Sequence, residues 1–313
     1  MIEIALLLVA GVALLYFGAE FLIRGGVSIA IGFGVSPLII GLTLVAMATS
    51  APELVVSVQA ALNNSGDISI GNVVGSNICN ILLILGLSAV IAPMAVNRKV
   101  IGFDMPILIV ATLAMSAIGF FLSGFNRLTG GVFLLGLIVY ILWNIRIERR
   151  AGGQVPDEVA QAKKLPFYLS AIFVFGGLGA LVVGGKFMVD GAVSLGRMAG
   201  LSEAIIGLTI VAVGTSLPEL ATSVVAACKK EADIAIGNVV GSNLFNILGI
   251  MGVAPLLRPV SSVGISAVDW GMLLFASVVL LPLMMTGKRI VRNEGILLLA
   301  IYAMYIAFLA MNA

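Results

Sequence analysis

Long apolar runs separated by short polar connections make up most of this chain. Roughly 20 apolar residues cross the hydrocarbon core of a bilayer as a helix, and ten runs are long enough. They are residues 3–23, 36–63, 69–95, 100–122, 127–147, 166–189, 202–228, 235–257, 264–286 and 291–311. Because lipid offers the backbone no hydrogen-bond partner, such runs predict transmembrane helices. We therefore predict an all-α membrane protein with ten transmembrane helices.

The chain also repeats itself. Residues 41–54 and 207–220 are identical at ten of fourteen positions, and residues 71–81 and 237–247 at nine of eleven. Both matches have the same offset of 166 residues. Each half then holds five helices, and an odd number makes the two halves face opposite ways across the membrane. We predict two inverted repeats, 1–147 and 166–313, joined by a linker at 148–165.

Lysine and arginine predict the orientation of the chain. When the connections are assigned alternately to two sides, thirteen Lys and Arg residues fall on one side and four on the other. Cytoplasmic connections carry the excess of positive charge. We therefore expect a multi-pass protein of the plasma membrane with a cytoplasmic 148–165 linker and both termini outside.

Composition excludes several functions. Hydrophobic residues make up 61% of the 313 residues and charged residues 10%, and there is no histidine. The missing histidine argues against common zinc sites and serine–histidine triads, and hence against an enzyme. Cys79 and Cys228 do not indicate a disulfide framework. The start of the chain lacks a basic signal-peptide region, so we expect the first run to be retained. We expect no cofactor, nucleic acid or obligate protein partner besides the lipid bilayer.

Two carboxylates at matching positions of the two repeats, Glu53 and Glu219, lie inside these apolar runs. A charge there costs roughly 2.5–3.5 kcal/mol even on insertion scales, so it indicates function. Glu53 follows Thr49 and Ser50 by four and three residues, which places all three on one helix face. Pro52 lacks an N–H and so releases a backbone carbonyl. The second repeat carries the same set as Thr215, Ser216, Pro218 and Glu219. Such all-oxygen groups suit hard cations, although a simple proline kink is the alternative.

Polar stripes on two other helices complete the candidate site. Asn72, Ser76 and Asn80 recur every four residues, and Asn238, Ser242 and Asn246 repeat the pattern. We assign Ser76, Asn80, Ser242 and Asn246 to the site. For Asn72, Asn77, Asn238 and Asn243, polar contacts between helices are an equally good interpretation.

Charge balance predicts exchange. One Ca²⁺ neutralises two glutamates, whereas an empty site leaves two like charges in a medium of low dielectric constant. Conformational change is then easiest when the site holds Ca²⁺, Na⁺ or protons. A cation channel is a further alternative, which the inverted repeat disfavours.

These paired motifs resemble the two alpha-repeats of the calcium/cation antiporter superfamily, specifically the prokaryotic sodium/calcium exchangers. The resemblance implies Na⁺/Ca²⁺ antiport in which the second, third, seventh and eighth helices enclose the site. It also implies that the first and sixth helices slide across the site. The implied Ca²⁺ ligands are Glu53, Glu219 and the carbonyls of Thr49 and Thr215. The implied Na⁺ ligands add Ser50, Ser76, Ser216, Ser242 and the carbonyls of Ala46 and Ala212.

The chain departs from the family pattern at two positions. Ala48 stands where the second repeat has Gly214, and Asn246 stands where some potassium-dependent relatives carry Asp. The second departure argues against potassium cotransport. H⁺/Ca²⁺ exchange on the same scaffold is the nearest alternative, since it needs the two glutamates but not the hydroxyl and carbonyl ligands.

Overall fold

The computed structural model describes residues 2–33, 36–150, 165–198 and 212–312. Its helices are α1 (Ile2–Phe33), α2 (Pro37–Thr49), α3 (Ala51–Leu62), α4 (Gly66–Ile91), α5 (Val100–Phe121), α6 (Arg127–Arg150), α7 (Phe167–Met198), α8 (Ala212–Thr215), α9 (Leu217–Cys228), α10 (Ala232–Leu257), α11 (Ala267–Met285) and α12 (Arg292–Asn312). Four two-residue strands are β1 (Met94–Ala95), β2 (Gly124–Phe125), β3 (Val260–Ser261) and β4 (Arg289–Ile290).

The prediction of an all-helical membrane protein is confirmed. Eight helices among the described residues are long and apolar enough to cross a membrane, and the bent pair α2–α3 forms a ninth such unit. The predicted run 202–228 is described only from residue 212 onward, and most of the 148–165 linker lies outside the described residues. The first run was predicted to end at residue 23, but α1 continues to Phe33.

Helices α4 and α10 form the centre of the bundle. Most residues in the apolar stretches of α4 and α10 are buried. In α1, α7 and α12, fewer than half of the residues in the apolar stretch are buried. The short strands pair antiparallel, β1 with β4 and β2 with β3. We call the end of the bundle where α9 is followed by α10 the Lys229 end. The opposite end, where α3 is followed by α4, is called the Lys186 end.

Helices α1 and α7 pack along each other through glycines. A Cβ atom built on Gly18 lies 2.9 Å from the Gly177 carbonyl oxygen, and one on Gly177 lies 2.7 Å from the Gly18 oxygen. Gly11 and Gly184 approach each other in the same way, at 3.1 and 3.0 Å. Only glycine permits backbones this close. The repeat relates the two contacts to each other. At the offset of 166 residues, Gly11 corresponds to Gly177 and Gly18 corresponds to Gly184.

A buried carboxylate ties α5 to α6 away from the bundle centre. Asp104 has no exposed surface, accepts a hydrogen bond of 2.9 Å from the Tyr140 hydroxyl and pairs with Lys99 at 3.3 Å. In the second half, the Tyr305 hydroxyl likewise donates to Asp269, at 2.6 Å. The sequence pattern gave no indication of these anchors.

Candidate cation site

The centre of the bundle is built around two broken helices. Helices α2 and α3 meet at an angle of 47°. The break lies at Ser50, whose ψ of 7° is not helical, and Ser216 has a ψ of 9° between α8 and α9. Proline occupies the first turn of each following helix, where its missing N–H costs nothing. The breaks thus place Glu53 and Glu219 in the first turns of α3 and α9.

The two carboxylates are buried and linked to the opposite half of the chain. Glu53 and Glu219 are each 1% exposed. The Ser50 hydroxyl donates to Oε1 of Glu219 at 2.8 Å, and the Ser216 hydroxyl donates to Oε1 of Glu53 at 3.3 Å. Oε2 of each glutamate is buried and has no hydrogen-bond partner among the described residues. Two buried oxygens of this kind require a cation or a proton, because isolated buried charge is costly.

Further hydroxyl and carbonyl groups surround the glutamates. Ser76 Oγ lies 3.4 Å from Ser216 Oγ. The carbonyl oxygen of Ala46 accepts from Thr49 Oγ1 at 3.2 Å and lies 3.5 Å from Ser242 Oγ. The structure therefore brings the predicted hydroxyl ligands together around the carboxylates.

Asparagines form a second layer on α4 and α10. Asn80 donates from Nδ2 to Oδ1 of Asn243 at 3.1 Å, joining the two helices. A π-helical turn begins at Asn80 in α4, and another begins at Phe245 in α10. Both side-chain atoms of Asn246, and Oδ1 of Asn80, are buried without a partner in the described part of the chain. These amide atoms are available to a ligand.

Asn72 and Asn238, for which the sequence left two interpretations open, contact the glutamate backbones. Asn72 Nδ2 donates to the Glu53 carbonyl at 3.2 Å, and Asn238 Nδ2 to the Glu219 carbonyl at 3.4 Å. Each asparagine also bonds a serine one turn after the glutamate, Ser57 or Ser223, at 2.9 Å. These serines were not predicted, and their recurrence at the repeat offset is the signal that could have revealed them. Polar contact between helices is thus the role that the geometry gives Asn72 and Asn238.

A cavity of about 200 Å³ lies beside this site. Thr215, Pro52 and Pro218 line it together with Lys186 and Asp190 of α7. Ala212, the remaining predicted ligand, begins α8.

The donor set is one of oxygens. Among the described residues, no three Asp, Glu, Cys or His side chains form a cluster that could hold a metal ion. The site instead combines two carboxylates with hydroxyls, amides and carbonyls, the ligand types that hard cations prefer.

Comparison with known proteins identifies the family. The family described as sodium/calcium exchanger protein matches residues 3–146 and 169–311. The sodium/calcium exchanger MaX1 of Methanosarcina acetivorans is 32% identical and is covered over 97% of both chains. The uncharacterized membrane protein MJ0091 of Methanocaldococcus jannaschii is 36% identical over 96% of each.

A solved structure of the sodium-calcium exchanger NCX_Mj, soaked with zero Na⁺ and Ca²⁺, has the same fold. Its TM-score is 0.84 at 34% identity, covering 98% of this chain and 99% of that one. The chain therefore belongs to the sodium/calcium exchanger family of membrane proteins, which are transporters and not enzymes.

Proposed function

We propose that this protein exchanges Na⁺ for Ca²⁺ by alternating access at a single site that contains Glu53 and Glu219. The observation that carries the proposal is the pair of buried carboxylates, each with one oxygen bonded to a serine of the other half and one oxygen without a partner among the described residues. Family membership supports the same activity. One Ca²⁺ balances the two negative charges that such a site otherwise holds in a medium of low dielectric constant.

The two cations are proposed to compete for overlapping ligands. Ca²⁺ takes six to eight oxygens, which two carboxylates and the carbonyls of Thr49 and Thr215 approach. Na⁺ ions use the same glutamates together with the surrounding neutral oxygens. These oxygens belong to Ser50, Ser76, Ser216, Ser242, Asn80, Asn246, Ala46 and Ala212. Because both cations need the glutamates, Ca²⁺ leaves when Na⁺ enters, and the empty site disfavours the conformational change.

Two inverted repeats, 1–147 and 166–313, are proposed to build this site from equivalent halves. Contacts that recur at the repeat offset support this architecture. Ser50 bonds Glu219 as Ser216 bonds Glu53, and the glycines of α1 and α7 exchange partners in the same way. Sites at the junction of such repeats serve many secondary transporters.

The excess of Lys and Arg supports an orientation in the plasma membrane with the Lys229 end cytoplasmic and both chain termini outside. The cavity beside Lys186 then opens to the outside. The 148–165 linker belongs to the cytoplasmic side in this arrangement. Asn246, at a position where an acidic residue would add a third negative charge, supports transport without K⁺.

H⁺/Ca²⁺ exchange is the second candidate, because a proton can also neutralise each unpartnered glutamate oxygen. The hydroxyl and carbonyl oxygens around the glutamates favour Na⁺, since protons do not need them. Na⁺/Ca²⁺ exchange and H⁺/Ca²⁺ exchange differ in the ion gradient that drives Ca²⁺ uptake.

The test is Ca²⁺ uptake into proteoliposomes that contain the purified protein. We expect uptake when the liposomes are loaded with Na⁺ and diluted into Na⁺-free medium, and none when Na⁺ is equal on both sides. A pH gradient without Na⁺ should drive no uptake. Uptake driven by the pH gradient and indifferent to Na⁺ would establish proton exchange instead. Net Ca²⁺ leak without any counter-cation would rule out both exchangers.

A further inference from the structure

We propose that Glu20 and Lys229 form an ion pair that closes the Lys229 end of the transporter and biases the site to open at the Lys186 end. This inference rests on alternating access as proposed above. It assigns a positioning role to two residues that contact neither cation.

The ion pair joins two helices that are far apart along the chain. Glu20 lies in α1, and Lys229 directly follows α9. Oε2 of Glu20 contacts Nζ of Lys229, and Oε1 of the same carboxylate contacts Arg24, one turn later in α1, at 2.5 Å. The Glu20 side chain is only 10% exposed, so water screens the pair less than it screens a surface ion pair. The pair with Lys229 is therefore the one that fastens α1 to α9.

The packing of the two halves is not equivalent. Helix α1 packs along α9, whereas α7 makes no comparable contact with α3 within the described residues. The cavity lies on this second side, between Lys186 in α7 and the two prolines Pro52 and Pro218. The structure is thus closed at the Lys229 end and open at the Lys186 end.

The repeat explains why the two ends differ. At the offset of 166 residues, Glu20 corresponds to Lys186 and Lys229 corresponds to Asn63. Arg24 corresponds to Asp190, so the charges of α1 are reversed in α7. Closure of the Lys186 end by the equivalent movement would bring a lysine toward a neutral asparagine. Among the described residues, an ion pair therefore stabilises the closed Lys229 end, and the repeat offers Lys186 no charged partner at position 63.

An ion pair at only one end of the bundle shifts the populations of the two conformations. An interaction present in only one of two conformations favours that conformation by its full free energy. The state with a closed Lys229 end should accordingly be the more populated one. Loss of the pair should let the Lys229 end open more often.

The test measures access to the site from the Lys229 end without measuring transport. A cysteine probe replaces Ala48, whose repeat equivalent Gly214 lines the cavity at the other end. The background carries Cys228→Ser, because Cys228 is exposed and Cys79 is buried. A membrane-impermeant thiol reagent is applied to inside-out membrane vesicles with equal Na⁺ on both sides, because the conformational change is easiest when the site is loaded. The background without the probe gives the rate of labelling at Cys79.

Lys229→Gln is compared with two matched controls. Arg24→Gln removes the partner within α1 and keeps the pair between helices, while Lys230→Gln removes an identical charge from the adjacent position. We expect Lys229→Gln to raise the labelling rate about two- to fivefold, as for loss of an ion pair of modest strength. Both controls should label at the parent rate.

A gain-of-function variant provides the reciprocal test. Asn63→Glu places a carboxylate at the position that corresponds to Lys229, opposite Lys186 when that end closes. It should also raise labelling of the Ala48→Cys probe, because it stabilises the alternative closure. Equal labelling rates in the parent, Lys229→Gln and Asn63→Glu would overturn the proposal. It would also be overturned if Arg24→Gln and Lys230→Gln raised the labelling rate as much as Lys229→Gln does.

The outcome is separable from that of the proposed function. Labelling needs no ion gradient, so a failure of Na⁺-driven Ca²⁺ uptake leaves the labelling result interpretable. Conversely, parent-like labelling of Lys229→Gln in a protein that exchanges Na⁺ for Ca²⁺ refutes the role of the ion pair alone.

Discussion

Gly214→Ala should block the packing of α7 against the broken helix beside the site. A Cβ atom built on Gly214 lies 2.2 Å from Cγ2 of Val189, whereas ordinary contacts begin near 3.4 Å. The two helices must therefore separate by about 1.2 Å, the difference of these distances, or Val189 must leave its position. Val189 is β-branched and has few alternative rotamers, so the relief must come largely from the helix.

The magnitude follows from overpacking and helix propensity. Overpacking of this kind costs about 1–3 kcal/mol, and its upper end applies to a contact this short. Replacing glycine by alanine in a helix returns about 1 kcal/mol. The net of about 2 kcal/mol reduces the population of the observed conformation about 30-fold, since about 1.4 kcal/mol is a factor of ten. We expect the rate of Na⁺-driven Ca²⁺ uptake to fall by an order of magnitude.

Gly185→Ala is the matched control. Gly185 faces the same cavity from α7, but a Cβ atom there meets only ordinary contacts, the shortest being 3.8 Å to the Gly214 oxygen. This variant should transport like the parent in proteoliposomes. Val189→Ala should restore uptake to Gly214→Ala, because it removes the clashing atom. Full activity of Gly214→Ala, or no rescue by Val189→Ala, would refute the reasoning.

Three other substitutions separate ligands from supports. Ser50→Ala removes a 2.8 Å bond to Glu219 and a proposed Na⁺ ligand, so the apparent Na⁺ affinity, read from the Na⁺ dependence of Ca²⁺ efflux, should fall about tenfold with a smaller change for Ca²⁺. Asn238→Ala leaves the Glu219 carbonyl without its donor; the initial uptake rate should fall while the unfolding temperature in detergent changes little, and an unchanged rate would contradict this role. Lys99→Met leaves Asp104 buried without a cation and should lower the free energy of unfolding by about 3–5 kcal/mol, measured by denaturation in detergent, while Ca²⁺ binding to the folded fraction is retained.

Much of the fold was predictable because lipid restricts the choices. Apolar runs of sufficient length predict helices, and the α2–α3 bend at Ser50 agrees with the predicted effect of Pro52. The predicted end of the first run at residue 23 is wrong, because the charged Arg24 ends the apolar run without ending the helix. In the structure Arg24 and Lys229 are both bound to Glu20, and the helix continues.

The grouping around Glu53 and Glu219 was predictable because both motifs recur at one offset. The specific partners were not. Nothing in the spacing of Asn80 indicates that it bonds Asn243, or that Ser50 reaches the glutamate of the other half. Contacts between distant segments depend on how the helices cross, which periodicity within one helix does not determine.

The ion pair between Glu20 and Lys229 is not predictable for a related reason. Glu20 was read as part of an apolar run, and its partner Lys229 lies more than 200 residues away along the chain. The pattern within a single sequence indicates charge pairs at helical spacing, such as Glu20 and Arg24. It does not indicate partners that lie on another helix.

Ca²⁺ binding to purified single variants tests the central claim most directly. Titration calorimetry in Na⁺-free buffer should give one Ca²⁺-binding event for the parent and for Glu231→Gln, a carboxylate outside the site. Glu53→Gln and Glu219→Gln should each lose measurable binding while remaining folded by circular dichroism, because one carboxylate cannot balance the charge of Ca²⁺. Parent-like Ca²⁺ affinity in either glutamine variant would contradict the account.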